Sequence, residues 1–381
     1  MQLSNKRWNQ GDLDLNSFPM QRERATHQVR IDMPVERLFA LACLTGQPGW
    51  LAAGSVCLIY SEGGKDEVRA IWSDSDTGVA LLQRSEQPTF WTTTAIRPDT
   101  HCYQAVLANP ELAVGTLDVE MVADGEGTIV RFALSYTVLS EAGSALFDEG
   151  MVGRLAQQLK RFARTLRAVA STGATPRVVV APQQELRRSV EHVAEMSGDI
   201  DECFALACPV AELKWIDNWR FDLIYSDSGL NETGCVFLEP FTGMSVLRSR
   251  SAINTWYCTR YDTESHEFEA VWLTRDLTLA HWEFTMAELG DGRVRAHWSL
   301  CYTSLGRAGR RLVGETNFDQ RMQAALGFLS LTFQTYVESG SPYRIPTSRK
   351  LQVVASLIGA SFGRHFRSRN GRRRTSQASP A

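Results

Sequence analysis

The second half of the chain carries aromatic side chains at alternating positions, a pattern suited to an apolar pocket. Alternate residues of a strand lie on one face of its sheet, and Trp and Tyr fill cores and line pockets alike. The candidate pocket residues are Trp256, Trp272, Trp282, Phe284, Trp298, Tyr302 and Phe333. If they line a pocket, Trp298→Ala weakens binding of an apolar probe. If they only fill the core, this substitution unfolds the domain.

Polar candidates for the same region are few. Glu212 and Glu232 could serve as polar groups at a pocket mouth, or simply as solvated charges and turn partners. His281 and His297 fall on the polar face of the strands that carry the aromatic residues, and we expect them at the surface. The chain has no Ser-His-Asp arrangement, no glycine-rich phosphate loop and no pair of histidines at metal-ligand spacing, so we assign no catalytic residue.

The cysteines do not indicate a metal site. All eight lack Cys-x-x-Cys spacing, and most lie in apolar segments. This usage is typical of small buried side chains in a reducing compartment. We therefore expect a cytoplasmic protein without a metal or another cofactor, with peripheral membrane association as an alternative discussed below.

The elements that would position these residues occur twice. The five letters from Phe39 to Cys43 recur from Phe204 to Cys208, and the four from Leu58 to Ser61 recur from Leu223 to Ser226. Both offsets are 165 residues, and shorter matches continue at this spacing. A repeat of this length is domain-sized, so the chain is predicted to hold two copies of one domain.

Each copy is predicted to contain a short helix, several antiparallel strands and a long C-terminal helix. Asp199 with Glu202 three residues later indicates a helix N-terminus, and we expect Trp50 and Trp215 to anchor the short helices. Strands are predicted near 234–238, 251–261, 266–274, 279–289 and 294–304. Apolar residues at helical spacing follow, which indicates an amphipathic helix that covers the sheet. The predicted class is α+β.

The end of the chain differs in charge from the rest. Residues 341–381 hold nine Lys or Arg residues and no acid, which gives this segment a charge of +9. Because the whole chain has a net charge of −3, residues 1–340 have a net charge of −12. One interpretation is a short amphipathic helix that contacts an anionic membrane surface. The alternative is a helix that packs on the acidic body. The candidate contact residues are Arg349, Lys350, Arg364, Arg367, Arg372, Arg373 and Arg374. Nucleic acid is an unlikely partner, because no recognition motif accompanies the charge.

The second copy resembles the bacterial START-like (SRPBCC) superfamily of helix-grip proteins, which includes the Bet v 1-like pollen allergens and the polyketide aromatase/cyclases. The resemblance rests on Cys208–Trp215, Asp222–Gly229 and Glu232–Phe237, and it extends loosely to the first copy. It implies two tandem helix-grip domains, each a curved antiparallel sheet wrapped around a long C-terminal helix with a hydrophobic cavity between them. The first copy departs from the pattern at Gln47–Trp50, so the better-kept pocket is expected in the second.

These observations predict a domain plan and leave three functions open. The plan is a polar leader (1–26), a first domain (27–171), a linker (172–189), a second domain (190–340) and a basic tail (341–381) with a short amphipathic helix. The preferred function is binding or carriage of a small hydrophobic molecule, a lipid or a lipid-like metabolite. The alternatives are a polyketide aromatase/cyclase-like enzyme and a non-catalytic structural or partner-binding module.

Overall fold

The computed structural model of the chain contains two sheets, each covered by one long helix. The residues that the structure describes are 21–44, 56–74, 89–109, 111–148, 150–173, 179–180, 185–216, 219, 221–240, 246, 253–275 and 277–343.

The first domain has seven antiparallel strands in the order β1-β7-β6-β5-β4-β3-β2. They are β1 (Arg22–Ile31), β2 (Val56–Tyr60), β3 (Ile71–Asp74), β4 (Thr89–Arg97), β5 (Cys102–Asn109), β6 (Ala113–Asp124) and β7 (Gly127–Val138). The helices are α1 (Val35–Phe39), which continues as a π-helical turn (Ala40–Leu44), α2 (Glu141–Ser144) and α3 (Met151–Thr172). A two-residue strand, β8 (Val179–Val180), pairs in parallel with β2.

The second domain repeats this plan in the order β10-β11-β12-β13-β14-β15-β9. Its strands are β9 (Arg187–Ser197), β10 (Asp222–Tyr225), β11 (Val236–Pro240), β12 (Ile253–Asp262), β13 (Glu267–Thr274), β14 (Thr278–Gly290) and β15 (Arg293–Ser304). Its helices are α4 (Ile200–Leu206), α5 (Pro209–Glu212), α6 (Gly306–Val313) and α7 (Phe318–Ser339). The five strands that the sequence placed between 234 and 304 are all present.

Each long helix buries its apolar stripe against the inner face of its own sheet. Leu155, Leu159 and Leu166 of α3 are fully buried, and Met322 and Phe333 of α7 are buried equally well. Burial of such side chains stabilises a domain by about 1.5–3 kcal/mol each. Both domains therefore have the helix-grip fold, and the predicted α+β class with two tandem copies is confirmed.

Strand pairing begins earlier than the sequence suggested. The strand β1 starts at Arg22, inside the segment assigned to the polar leader, and it pairs with β7 along its whole length. The matching strand β9 starts at Arg187, inside the segment assigned to the linker. The bounds 27–171 and 190–340 for the two domains remain predictions from the sequence.

The outer faces of the two sheets pack against each other. One apolar cluster contains Val106 and Val114 of the first domain together with Val271 and Leu279 of the second. These pairs are related by the repeat offset of 165 residues, so the interface has approximate two-fold symmetry. Its presence overturns one expectation: His281 is buried, with 6% exposed, because the outer face of β14 meets the other domain instead of water.

Candidate functional site

An aromatic pocket lies in the second domain between the sheet and the helix α7. Its volume is about 110 Å³. The walls come from β11, β12, β13, β14 and β15, and α7 contributes Leu326 and Leu329. Pro209 and Glu212 of the short helix α5 also line the pocket.

Closely packed indole rings, tilted against one another, form most of the pocket wall. The ring centroids of Trp256 and Trp272 are 3.9 Å apart, and those of Trp272 and Trp282 are 6.2 Å apart. Tyr302 stands edge-on to Trp272 at 5.5 Å. Opposing residues of neighbouring antiparallel strands bring these rings together, since Trp256 pairs with Trp272 across β12 and β13. The surface suits a flat apolar molecule, which could stack on or meet the rings edge to face.

Two carboxyl groups interrupt this apolar wall. Glu239 of β11 is buried and accepts hydrogen bonds from Asn254 Nδ2 at 3.0 Å and Trp256 Nε1 at 2.8 Å. Burial raises the pKa of Glu212 to about 8, and the Glu239 carboxyl adds to this shift. Burial also raises the pKa of the Tyr302 hydroxyl, with a further contribution from Glu239. At neutral pH, Glu212 and Tyr302 are therefore protonated groups that can donate a hydrogen bond.

One donor in the pocket wall lacks a well-placed acceptor. The indole N–H of Trp272 is buried and makes no hydrogen bond of good geometry in the part of the chain that the structure describes. The Tyr302 hydroxyl lies close enough for this indole to oppose the rise of the Tyr302 pKa. An unpaired buried donor costs about 1–3 kcal/mol. A ligand with an acceptor atom at this position would remove that cost.

The structure separates the seven predicted pocket residues into two groups. Trp256, Trp272, Trp282 and Tyr302 line the pocket. The others, Phe284, Trp298 and Phe333, pack on one another in the adjacent core, where Trp298 lies 5.3 Å from Phe284 and 6.1 Å from Phe333 between ring centroids.

The remaining polar candidates have different surroundings. Glu232 closes a turn by accepting hydrogen bonds from Ser226 Oγ at 2.7 Å and Ser228 N at 3.1 Å. His281 faces the first domain, with its Nε2 3.1 Å from Thr92 Oγ1. Burial lowers the pKa of His281 well below its usual range, helped by nearby Arg side chains. Neither residue reaches the pocket.

The first domain has a different interior at the corresponding positions. The residues that correspond to Trp272 and Trp282 at the offset of 165 are Leu107 and Leu117, and both leucines are fully buried. A buried carboxyl, Asp66, accepts hydrogen bonds from Thr93 Oγ1 at 2.6 Å and Trp72 Nε1 at 3.2 Å. Burial raises the pKa of Asp66 to about 6. The two copies have therefore kept one fold around two different interiors.

Sequence reasoning missed Glu239 and Asn254. Glu239 occupies an inward-facing position in β11, where Phe237 two residues earlier also faces the core. The sequence pattern that could have revealed Glu239 is an acidic residue at a position of an apolar strand that alternation assigns to the inner face. Asn254 carried none, because a single Asn at the start of a strand is common in turns.

Several predicted sites lie outside the described residues. These are Trp50, most of the polar leader, and the tail residues Arg349, Lys350, Arg364, Arg367, Arg372, Arg373 and Arg374. Among the described residues, no helix is both long enough and apolar enough to cross a membrane.

Comparisons with known proteins found structural neighbours only. No protein-family model matches the chain, and no curated protein matches it. The di-domain ARO/CYC StfQ of the steffimycin biosynthetic pathway is 11% identical, over 82% of this chain and 98% of its own, with a TM-score of 0.34. Norcoclaurine synthase from Thalictrum flavum, in complex with dopamine and hydroxybenzaldehyde, is 11% identical over 45% of this chain and 99% of its own, with a TM-score of 0.33.

Proposed function

We propose that the second domain binds a small aromatic molecule that carries a hydrogen-bond acceptor. The N–H of Trp272, which lacks a well-placed acceptor in a wall of closely packed rings, is the observation that carries this proposal. The protonated Glu212 provides a second donor in the same pocket. An acceptor such as a carbonyl oxygen would satisfy a donor to which the described protein residues offer no well-placed acceptor.

The size of the pocket favours a single ring over a lipid chain. Apolar cavities of about 150 Å³ bind benzene, whereas pockets for drug-sized ligands measure roughly 300–1,000 Å³. With about 110 Å³, this pocket is close in size to the cavities that bind benzene. Carriage of a lipid or lipid-like metabolite would require α7 or the pocket mouth to move outward.

A pair of isosteric probes tests the proposed acceptor. Acetophenone and α-methylstyrene both have a planar branch point on the ring, but only acetophenone has a carbonyl oxygen. We expect wild-type protein to bind acetophenone at least ten-fold more tightly in a tryptophan-fluorescence titration, which corresponds to about 1.4 kcal/mol. Trp272→Phe should reduce this preference at least three-fold, because it keeps a ring and removes one of the two donors.

A matched control is available in the first domain. The indole N–H of Trp91 is also buried without a partner among the described residues, so Trp91→Phe removes a similar group far from the pocket. This variant should keep the preference for acetophenone. Equal affinity of the wild type for both probes would overturn the proposal, and tighter binding of oleate than of either probe would support lipid carriage.

The two carboxyl groups favour an aromatase/cyclase-like enzyme as a second candidate. A carboxylic acid that stays protonated near neutral pH can transfer a proton to a substrate carbonyl. Glu212 has this property, and Glu239 lies in the same pocket. Turnover of an aromatic or polyketone substrate that Glu212→Gln abolishes, while binding persists, would identify an enzyme.

A further inference from the structure

A second concave site lies on the first domain, on the outside of its long helix. It is a groove of about 630 Å³ between the edge strand β1 and the helix α3. Its floor includes Val29 and Ala163, and its walls carry Lys160, Arg164 and Arg167. These walls have no part in the aromatic pocket, which belongs to the other domain.

The three cations lie on one face of α3. Their spacing of four and three residues places them side by side, along about 10 Å of helix axis. All three are exposed. None makes an ion pair within the described residues; Arg164 and Arg167 donate only to the backbone oxygens of Lys160 and Arg30. Like charges at this spacing destabilise a helix, so the stability of α3 does not explain the presence of these three cations.

The corresponding helix of the second domain shows that the fold does not require this charge. Helix α3 contains five Lys or Arg residues and no acid, although residues 1–340 as a whole are strongly acidic. Helix α7 contains one cation, Arg321, which pairs with Glu315 at 2.6 Å, and it also carries Asp319 and Glu338.

A fourth group in the groove responds to this charge. His27 of β1 lines the groove opposite the helix. Its pKa is lowered by burial and by the positive charges of Lys160 and Arg167. No acidic side chain is among the residues that line the groove, so its positive charges are uncompensated there and attract anions.

We propose that the groove between β1 and α3 binds a small polyanion, a molecule with two or more phosphate or carboxylate groups. Three cations along about 10 Å of helix can contact more than one anionic group of the same molecule. The concave shape fits a discrete ligand better than a flat lipid surface. Guanidinium groups form charge-assisted hydrogen bonds with phosphate and carboxylate oxygens, and Val29 and Ala163 offer an apolar floor to the rest of the molecule.

Sodium tripolyphosphate is the probe, titrated calorimetrically into the full chain. The basic tail can attract the same anion, so two triple variants with equal changes of charge are compared. The groove variant is Lys160→Gln, Arg164→Gln and Arg167→Gln. The control variant is Lys214→Gln, Arg307→Gln and Arg311→Gln, all exposed on the second domain.

We expect saturable binding by the wild type, an affinity at least ten-fold lower in the groove variant, and a change below two-fold in the control. Equal losses in both variants, or no saturable binding by the wild type, would overturn the proposal. So would flotation with phosphatidylserine-containing vesicles that depends on the groove while tripolyphosphate does not bind. Should the groove triple variant unfold, Lys160→Gln alone, whose side chain makes no hydrogen bond in the described structure, is expected to lower the affinity at least three-fold, and an unchanged affinity would count against the proposal.

Discussion

The protonation state of Glu212 couples the aromatic pocket to pH. Its pKa is raised from 4.5 to about 8 by burial, with the Glu239 carboxyl as a second cause. Below about pH 4.5 this side chain is protonated in both the folded and the unfolded chain. Between pH 4.5 and 8 the unfolded chain releases the proton while the folded chain keeps it, so the free energy of unfolding must fall as pH rises.

Glu212→Gln should remove this dependence. From pH 5 to pH 8 we expect the wild type to lose about 2–4 kcal/mol more of its free energy of unfolding than the variant does. Urea denaturation at several pH values measures the difference. The raised pKa of Asp66 affects both proteins equally and cancels in the comparison. Parallel stability curves for the two proteins would show that Glu212 ionises normally.

At this scale the sequence located the aromatic wall but not its polar groups. Alternation along β14 and β15 placed Trp282 and Tyr302 on the inner face, where they line the pocket. It could not distinguish them from Trp298, which shares the face but packs in the core, because depth below the helix is set by tertiary packing. The position of Glu239 beside Glu212 depends on a contact between separate elements, which no local pattern encodes.

At the scale of elements, the two copies share the same turn structure. His101 and His266 each occupy a positive-φ turn, and each ring packs edge-on against the Phe of the repeated helix at 5.5 Å. Strands and helices were predictable because their periodicity is local; the start of β1 was not, since polar residues dominate its first half.

The predicted cap of α4 is present and offers a direct test. The Asp199 side chain accepts a hydrogen bond from Glu202 N at 3.0 Å. Replacement by Ala should lower the free energy of unfolding by about 1 kcal/mol, because a first-turn N–H loses its acceptor. Urea denaturation measures this loss. Asp199→Asn, which keeps an acceptor, should stay close to wild type, and an equal loss in both variants would assign the effect to charge.

At the scale of the molecule, the tail carries the prediction that depends least on the fold. Nine cations without an acid should bind an anionic membrane by about 1 kcal/mol per residue near the surface. Flotation with phosphatidylserine-containing liposomes should therefore recover the full chain and not a chain that ends at Gly340. Equal recovery of both would exclude the tail as the anchor, and recovery of neither would favour its packing on the acidic body.

Two arginines at equivalent positions of the repeat each contact the opposite domain. Arg22 stacks 3.7 Å from the ring centre of Tyr225, and Arg187 stacks 4.1 Å from that of Tyr60. Each also donates to a backbone oxygen of the opposite domain, Arg187 to Arg69 O at 2.5 Å. The duplication matched Tyr60 with Tyr225, which lie in the repeated four-residue segment, whereas Arg22 and Arg187 fell in the predicted leader and linker. That the partners cross between copies could not be inferred, because a repeat also allows contacts within each copy.

Removal of one such contact should weaken the whole molecule. The Arg187 side chain is only 7% exposed and also donates to Thr303 Oγ1 at 2.8 Å. Arg187→Ala should lower the free energy of unfolding by about 2–4 kcal/mol, since it removes a stacked cation and leaves buried acceptors unpaired. Its neighbour Arg188 is 43% exposed and lies 3.7 Å from Asp319, so Arg188→Ala should cost at most about 0.5 kcal/mol. Guanidinium denaturation compares the two, and equal costs would mean that the crossed contacts do not stabilise the pairing of the domains.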